Sequence, residues 1–300
     1  IKIDSKWYTP LSTVLLIFFV YFFSYAKEIQ AKRYTPVFND RIDYAYNIYK
    51  ESKPDLRKWK IKKSDTITVL EANSTNIPFT IWKNQGYTCL NSSKDSVTKF
   101  LNKPSNYVTI IDSFFRMDAF KAYPGIIYRL KRKAGNGRLS IYQHDKSNNA
   151  ANFFKKLHTN AEIDFDIQNP NKQFSYNATN IESINNNKLF SLKSKDEFSL
   201  TLSDTLANLD LNLPIQVLLV ADYYQADSLA KVQVVCNSGN YHFVHYLENS
   251  FQAINEWTKK QHHFTIPIHK VKNGDEIKLY YWNPDKGNLL IDNYNLIIYQ

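Results

Sequence analysis

The residues that could build a reactive centre in this 300-residue chain are 7 histidines, 2 cysteines and 28 carboxylates. Their spacing argues against one. His242 and His245 stand three apart in the strand-like run YHFVHYL, so the two-residue period of a strand sends them to opposite faces, where they cannot share a metal without distortion. His262, His263 and His269 are no better spaced. No G-x-S-x-G, H-E-x-x-H, phosphate-loop or C-x-x-C pattern occurs, so no catalytic residue is assigned. Cys89 in GYTCL and Cys236 in VQVVCNS lie in separate strand-like runs and read as buried free thiols rather than a bridge.

Binding chemistry is better represented. Tyr223, Tyr224, Tyr241, Trp257, Tyr281 and Trp282 offer flat apolar faces of the kind that pack on pyranose rings. The competing reading is that alternating aromatics in a β-protein are core, and in YYWN at least one of Tyr280 and Tyr281 has to be. Asp292 in the final strand, with Asp164 or Asp166 in the first, could meet as oxygen ligands of a structural calcium, against the alternative of surface carboxylates with no metal. A third candidate is the crevice beyond the carboxyl ends of strands in the first half, at Glu71, Asn73 and Asp112. Residues such as Asn73 and Asp112 are more often helix caps than ligand contacts, whereas Glu71 has no capping role. No glycine-rich loop accompanies them, so a dinucleotide is not expected, and calcium is the one cofactor considered.

The elements that must position these residues fall into four segments. Residues 1–33 contain an uncharged run from Trp7 to Ala26, about the 20 residues a helix needs to cross a bilayer core. Trp7, Tyr8, Tyr21 and Tyr25 suit interfacial belts. The rival is a signal peptide cut after Ala26, with Lys2 and Lys6 ahead of an apolar Leu11–Phe23 stretch. Asp4 and the bulky aromatics favour the transmembrane helix. Residues 34–145 alternate strand-like and helix-like runs, from TITVLEA to a hairpin turned at Gly135-Asn136-Gly137. That pattern predicts a small three-layer α/β domain. Residues 146–160, rich in Lys, Ser and Asn, read as a linker, and residues 161–300 carry short strands separated by turn residues, which predicts an antiparallel β-sandwich. The fold class is therefore α/β plus all-β behind one membrane helix.

A net charge of +10 favours anionic partners, such as lipid headgroups or lipid-linked phosphates, and without a reader motif nucleic acid is not expected. KEIQAKRYTPVFNDRIDYAYNIYK, ITVLEANSTNIPFTIWKNQGYTC, NYVTIIDSFF and GRLSIYQ together resemble the end of a polytopic bacterial glycosyltransferase of the GT-C fold. That group includes protein mannosyltransferases and the aminoarabinose transferase of lipid A. KLYYWNPDKGNLLIDNYNLIIY resembles a jelly-roll like that of carbohydrate-binding modules. The resemblance implies a cell-envelope protein at the cytoplasmic membrane, its soluble domains extracytoplasmic. It also implies a donor sugar linked to polyprenyl phosphate, a glycan or lipid acceptor, and catalytic residues outside this chain, whose own domains guide acceptor or carrier. The alternative is a membrane-anchored or exported carbohydrate-binding or adhesion protein with no enzymatic activity.

Overall fold

The computed structural model describes residues 8–33, 41–70, 77–89, 93–163, 165, 174–176, 180–184, 187–193, 195–225, 232–246 and 255–300. Helix α1 (Tyr8–Arg33) leads the chain, with side chains described over residues 13–27. Every residue from Val14 to Phe23 is more than half exposed. Among the described residues no helix is long and apolar enough to cross a membrane, so the span expected over residues 1–33 is not established.

The next unit is an α/β layer. It comprises α2 (Arg41–Ser52), α3 (Asp55–Lys58), β1 (Thr66–Leu70), α4 (Ile77–Trp82), β2 (Gln85–Cys89), α5 (Lys94–Leu101), β3 (Tyr107–Ile111), β4 (Leu130–Gly135) and β5 (Leu139–His144). An irregular helix over residues 112–122, with a π-helical stretch at Phe115–Ala119, joins β3 to the hairpin. The mixed sheet has the order β2-β1-β3-β5-β4, parallel among the first three strands and antiparallel in the rest. Helix α2 buries Ala45, Ile48, Tyr49 and Ser52, one stripe at helical spacing. Tyr49 reaches through that face, its hydroxyl 3.0 Å from Thr109 Oγ1, while Trp82 Nε1 donates to its carbonyl at 2.9 Å. Helix α5 starts where the Ser93 hydroxyl accepts from the Ser96 N–H, and it buries Val97 and Leu101.

The remaining strands are β6 (Leu157–Ile163), β7 (Phe174–Ser175), β8 (Ile181–Ile184), β9 (Asn187–Leu192), β10 (Phe198–Thr205), β11 (Ile215–Gln225), β12 (Gln233–Ser238), β13 (Tyr241–Tyr246), β14 (Trp257–Ile266), β15 (Glu276–Trp282) and β16 (Leu289–Tyr299). They form two antiparallel sheets. The front sheet runs β14-β11-β16-β9-β8, with β6 also on β16, and the back sheet runs β13-β12-β15-β10-β7. From β9 to β16 the chain passes back and forth between the sheets in the order of a jelly roll, as the strand grammar predicts. Between the sheets lies an apolar core that includes Phe190, Val217, Leu219, Tyr223, Leu279, Tyr281 and Tyr294.

The boundary between the units is not the polar linker expected over residues 146–160. Ala150, Phe153 and Phe154 are buried there, and β6 has already begun at Leu157. The Phe153 ring stacks on Tyr142 of β5 at 4.4 Å between centroids, and Phe154 meets Tyr299 of β16 at 4.6 Å. These rings join Phe115 and Phe120 over Leu218, Val220 and Ile297 on the outer face of the front sheet. Two aromatics outweigh ten polar neighbours because burying each ring is worth several times what a solvated Asn or Lys loses by lying alongside. The α/β layer and the jelly roll therefore share a hydrophobic cluster in addition to the core that each closes for itself.

Candidate functional site

The outer face of the front sheet is covered only in part. Strand β11 points its odd residues, Ile215 to Tyr223, into the sandwich, and its even residues outward. Leu218 and Val220 go under the α/β layer, while Asp222 and Tyr224 line an open hollow of about 660 Å3. Opposite them the register of β16 slips by one residue, so that Val220 pairs with Asn295 but Asp222 pairs with Asp292. Asn293 sits in that bulge with φ 49°, a left-handed conformation that asparagine tolerates better than most residues. The bulge turns both Asp292 and Asn293 to the open face.

The hollow has an apolar wall and a polar floor. Tyr224 is the register partner of Trp257, and their rings lie 5.6 Å apart at 47°. Trp257 is 47% exposed, unusual for so large an apolar ring. Asn293 Nδ2 donates to Asp222 Oδ2 at 2.8 Å and to Asp292 Oδ2 at 3.3 Å, and Asn187 Nδ2 donates to Asp292 Oδ2 at 3.1 Å. Lys259 Nζ stands 3.7 Å from Asp222 Oδ1. Ionised carboxylates accept at about four positions each, so these bonds fix the two groups and leave acceptor capacity facing solvent. An exposed tryptophan backed by a half-buried tyrosine, beside fixed acceptors and amides, suits a ligand with an apolar ring face and a hydroxylated edge.

The six aromatics named from the sequence part company here. Tyr224 and Trp257 form the wall of the hollow. Tyr223 and Tyr281 are core, their hydroxyls 2.8 Å apart and both phenols pushed well up by burial. Tyr241 is half-buried against the core beside Phe243, and burial pushes its phenol up to about 12. Trp282 is on the outside of the back sheet, stacked on Phe198 at 6.3 Å. One hollow thus receives two of the six. Asp292 reaches the hollow, while its proposed calcium partners Asp164 and Asp166 lie outside the described residues, as do Glu71 and Asn73 of the crevice. Asp112 begins the irregular helix after β3 and lines a different cavity.

Among the described residues no group of three His, Cys, Asp or Glu side chains is placed to hold a metal. His242 turns outward to Asn237, and His245 turns inward to within 4.9 Å of His262, ring to ring. Both cysteines are buried thiols, not bridged to one another. Sequence reading missed Asp222, Asn187 and Asn293. For Asp222 the signal was present, since a lone carboxylate inside the apolar run IQVLLVADYYQ has to face outward.

No family model matches the chain, and no curated protein does. Solved structures share a remote likeness with it. One is a xylan-binding CBM22 domain of Xyn10C from Paenibacillus barcinonensis, at 9% identity, covering 49% of this chain and 97% of that one with a TM-score of 0.31. Another is the C-terminal CBM6 of LamC from Zobellia galactanivorans, at 11% identity, 47% and 100% coverage and 0.27. A third is the Stig cyclase Fisc from Fischerella sp. TAU, at 12% identity, 46% and 84% coverage and 0.29. Likenesses this remote do not bear on what the chain binds.

Proposed function

We propose that the jelly roll is a glycan-binding module whose work is recognition, with the sugar ring lying on Trp257 and Tyr224 and its hydroxyls donating to Asp222 and Asp292. The observation that supports this reading is the exposed Trp257, paired with the half-buried Tyr224 and set beside two carboxylates held by Asn187 and Asn293. Aromatic faces supply area at little entropic cost, and hydroxyl-to-carboxylate bonds supply orientation. In this reading the exposed apolar stretch of α1, Val14 to Phe23, holds the module at a lipid surface on the extracytoplasmic side. The wider reading, a guiding domain for a glycosyltransferase that uses a polyprenyl-phosphate sugar, rests on the sequence resemblance alone and is not needed for the site. The test is retardation of the full chain, in mild detergent, on gels cast with a panel of soluble polysaccharides. At least one polysaccharide should retard the wild type, and Trp257→Ala should lose that retardation at unchanged thermal stability. Migration unaffected by every polysaccharide would overturn the proposal.

A further inference from the structure

A second cavity, of about 480 Å3, lies where the α/β layer meets the front sheet. Arg116 from the irregular helix and Arg132 from β4 both line it. Among the described residues neither guanidinium is within salt-bridge distance of a carboxylate. Lys155 also reaches the cavity but is engaged by Asp210 at 2.8 Å.

The acidic group present is Asp112, which hydrogen-bonds to Ser140. Burial pushes its carboxyl above the usual range, against the pull of Ser140, Arg116 and Arg132. Two permanent cations thus face one carboxyl whose charge is resisted, and the cavity is net positive.

The chain keeps room for this arrangement. A Cβ at Gly135 would fall 2.5 Å from Arg132 Nη2, 2.9 Å from the Leu139 carbonyl oxygen and 3.1 Å from Ser140 Oγ, so a side chain there would displace the guanidinium from its present position and crowd the hairpin backbone. Rings of Phe115, Phe153 and Phe154 supply an apolar wall on the other side.

We propose that this cavity binds a small organic oxyanion, a carboxylate or phosphate carried on a sugar-sized body, with Arg116 and Arg132 on the charged end and the phenylalanine rings against the body. Guanidinium forks match either headgroup, and an enclosed site screens the attraction less than a surface would. The site is separate from the Trp257 hollow and does not depend on it.

Calorimetric titration of the full chain with glucose, glucuronate, glucose 6-phosphate and inorganic phosphate tests this. Both sugar anions, or one of them, should bind while glucose does not, and which of them binds separates carboxylate from phosphate. Arg116→Gln and Arg132→Gln should each weaken that binding at least about tenfold, the scale of one charge-assisted hydrogen bond. Asp112→Asn should tighten it by removing the competing carboxyl, Gly135→Ala should weaken it, and Trp257→Ala should leave it unchanged. Binding to wild type should also weaken as salt is added. Absence of heat with all the anions, equal binding of glucose, or sensitivity to Trp257→Ala in place of the arginines would overturn the proposal. If both arginine variants fail to fold, tightening in Asp112→Asn supports it and weakening there counts against it.

Discussion

The two ends of strand β11 carry outward faces with opposite fates. Around Leu218 and Val220 the face is apolar and lies under Phe115, Phe120 and Phe153, while around Asp222 and Tyr224 it is open and lines a hollow. Strand alternation is the same along its length, and so is the inward row from Ile215 to Tyr223. What differs is whether another element has an apolar surface to set against it. A sheet face is thus divided into support and site by a change of residue type within four positions, a cover at one end and a platform at the other.

Breaking the cover should have the largest effect. Phe153→Ala removes a ring packed on Tyr142 and Phe115 and should cost about 3–5 kcal/mol, the range for deleting a buried aromatic. Because the cluster is shared, urea unfolding followed by tryptophan fluorescence and by circular dichroism should remain one transition at a lower midpoint. Two separated transitions in the wild type would show that the layers do not support one another.

Acid should weaken the fold through a histidine buried on the inward face of the sandwich. His262 is buried, neither ring nitrogen has a hydrogen-bond partner among the described residues, and burial lowers its pKa to about 3. An unfolded histidine takes up its proton near pH 6.5, so between about pH 6.5 and 3 the unfolded chain holds a proton that the folded chain does not. Stability should therefore be flat above neutrality and fall on acidification by up to about 1.4 kcal/mol per pH unit from this residue. His262→Phe should flatten that slope in urea titrations at pH 5 and 7, and an unchanged slope would reject the assignment.

A finer contrast lies in the adjacent tyrosines. Tyr223→Phe strands the buried Tyr281 hydroxyl and should cost about 1–2 kcal/mol. Tyr224→Phe, whose hydroxyl is at the rim, should fall within about 0.5 kcal/mol. Equal losses by thermal melting would contradict the assignment of one ring to the core and its neighbour to the surface.

How much of this was legible depends on which residues set the pattern. The strands of the jelly roll announce themselves by alternation and by turns such as Asn273-Gly274, where φ is 92°. The split of Tyr223 from Tyr224 follows from alternation once the phase is known, but the phase is fixed only by the partner sheet. Phe153 and Phe154 were hidden inside a polar run, where composition averaged away the two residues that decide its burial. Asn293 could not be placed, because a bulge is a property of two strands in register and not of either alone. Arg116 and Arg132 lie 16 positions apart and meet only because the irregular helix folds back beside the β4–β5 hairpin.

The central claim is that the open end of this face binds sugar. It is tested most directly by titrating the full chain with whichever polysaccharide retards it, alongside Trp257→Ala and the control Trp282→Ala on the opposite face. Loss of at least about tenfold in affinity for Trp257→Ala, with Trp282→Ala unchanged, is the predicted result, in line with an aromatic contact at the centre of a small site. Equal affinity for Trp257→Ala and wild type, or a loss confined to Trp282→Ala, would contradict it.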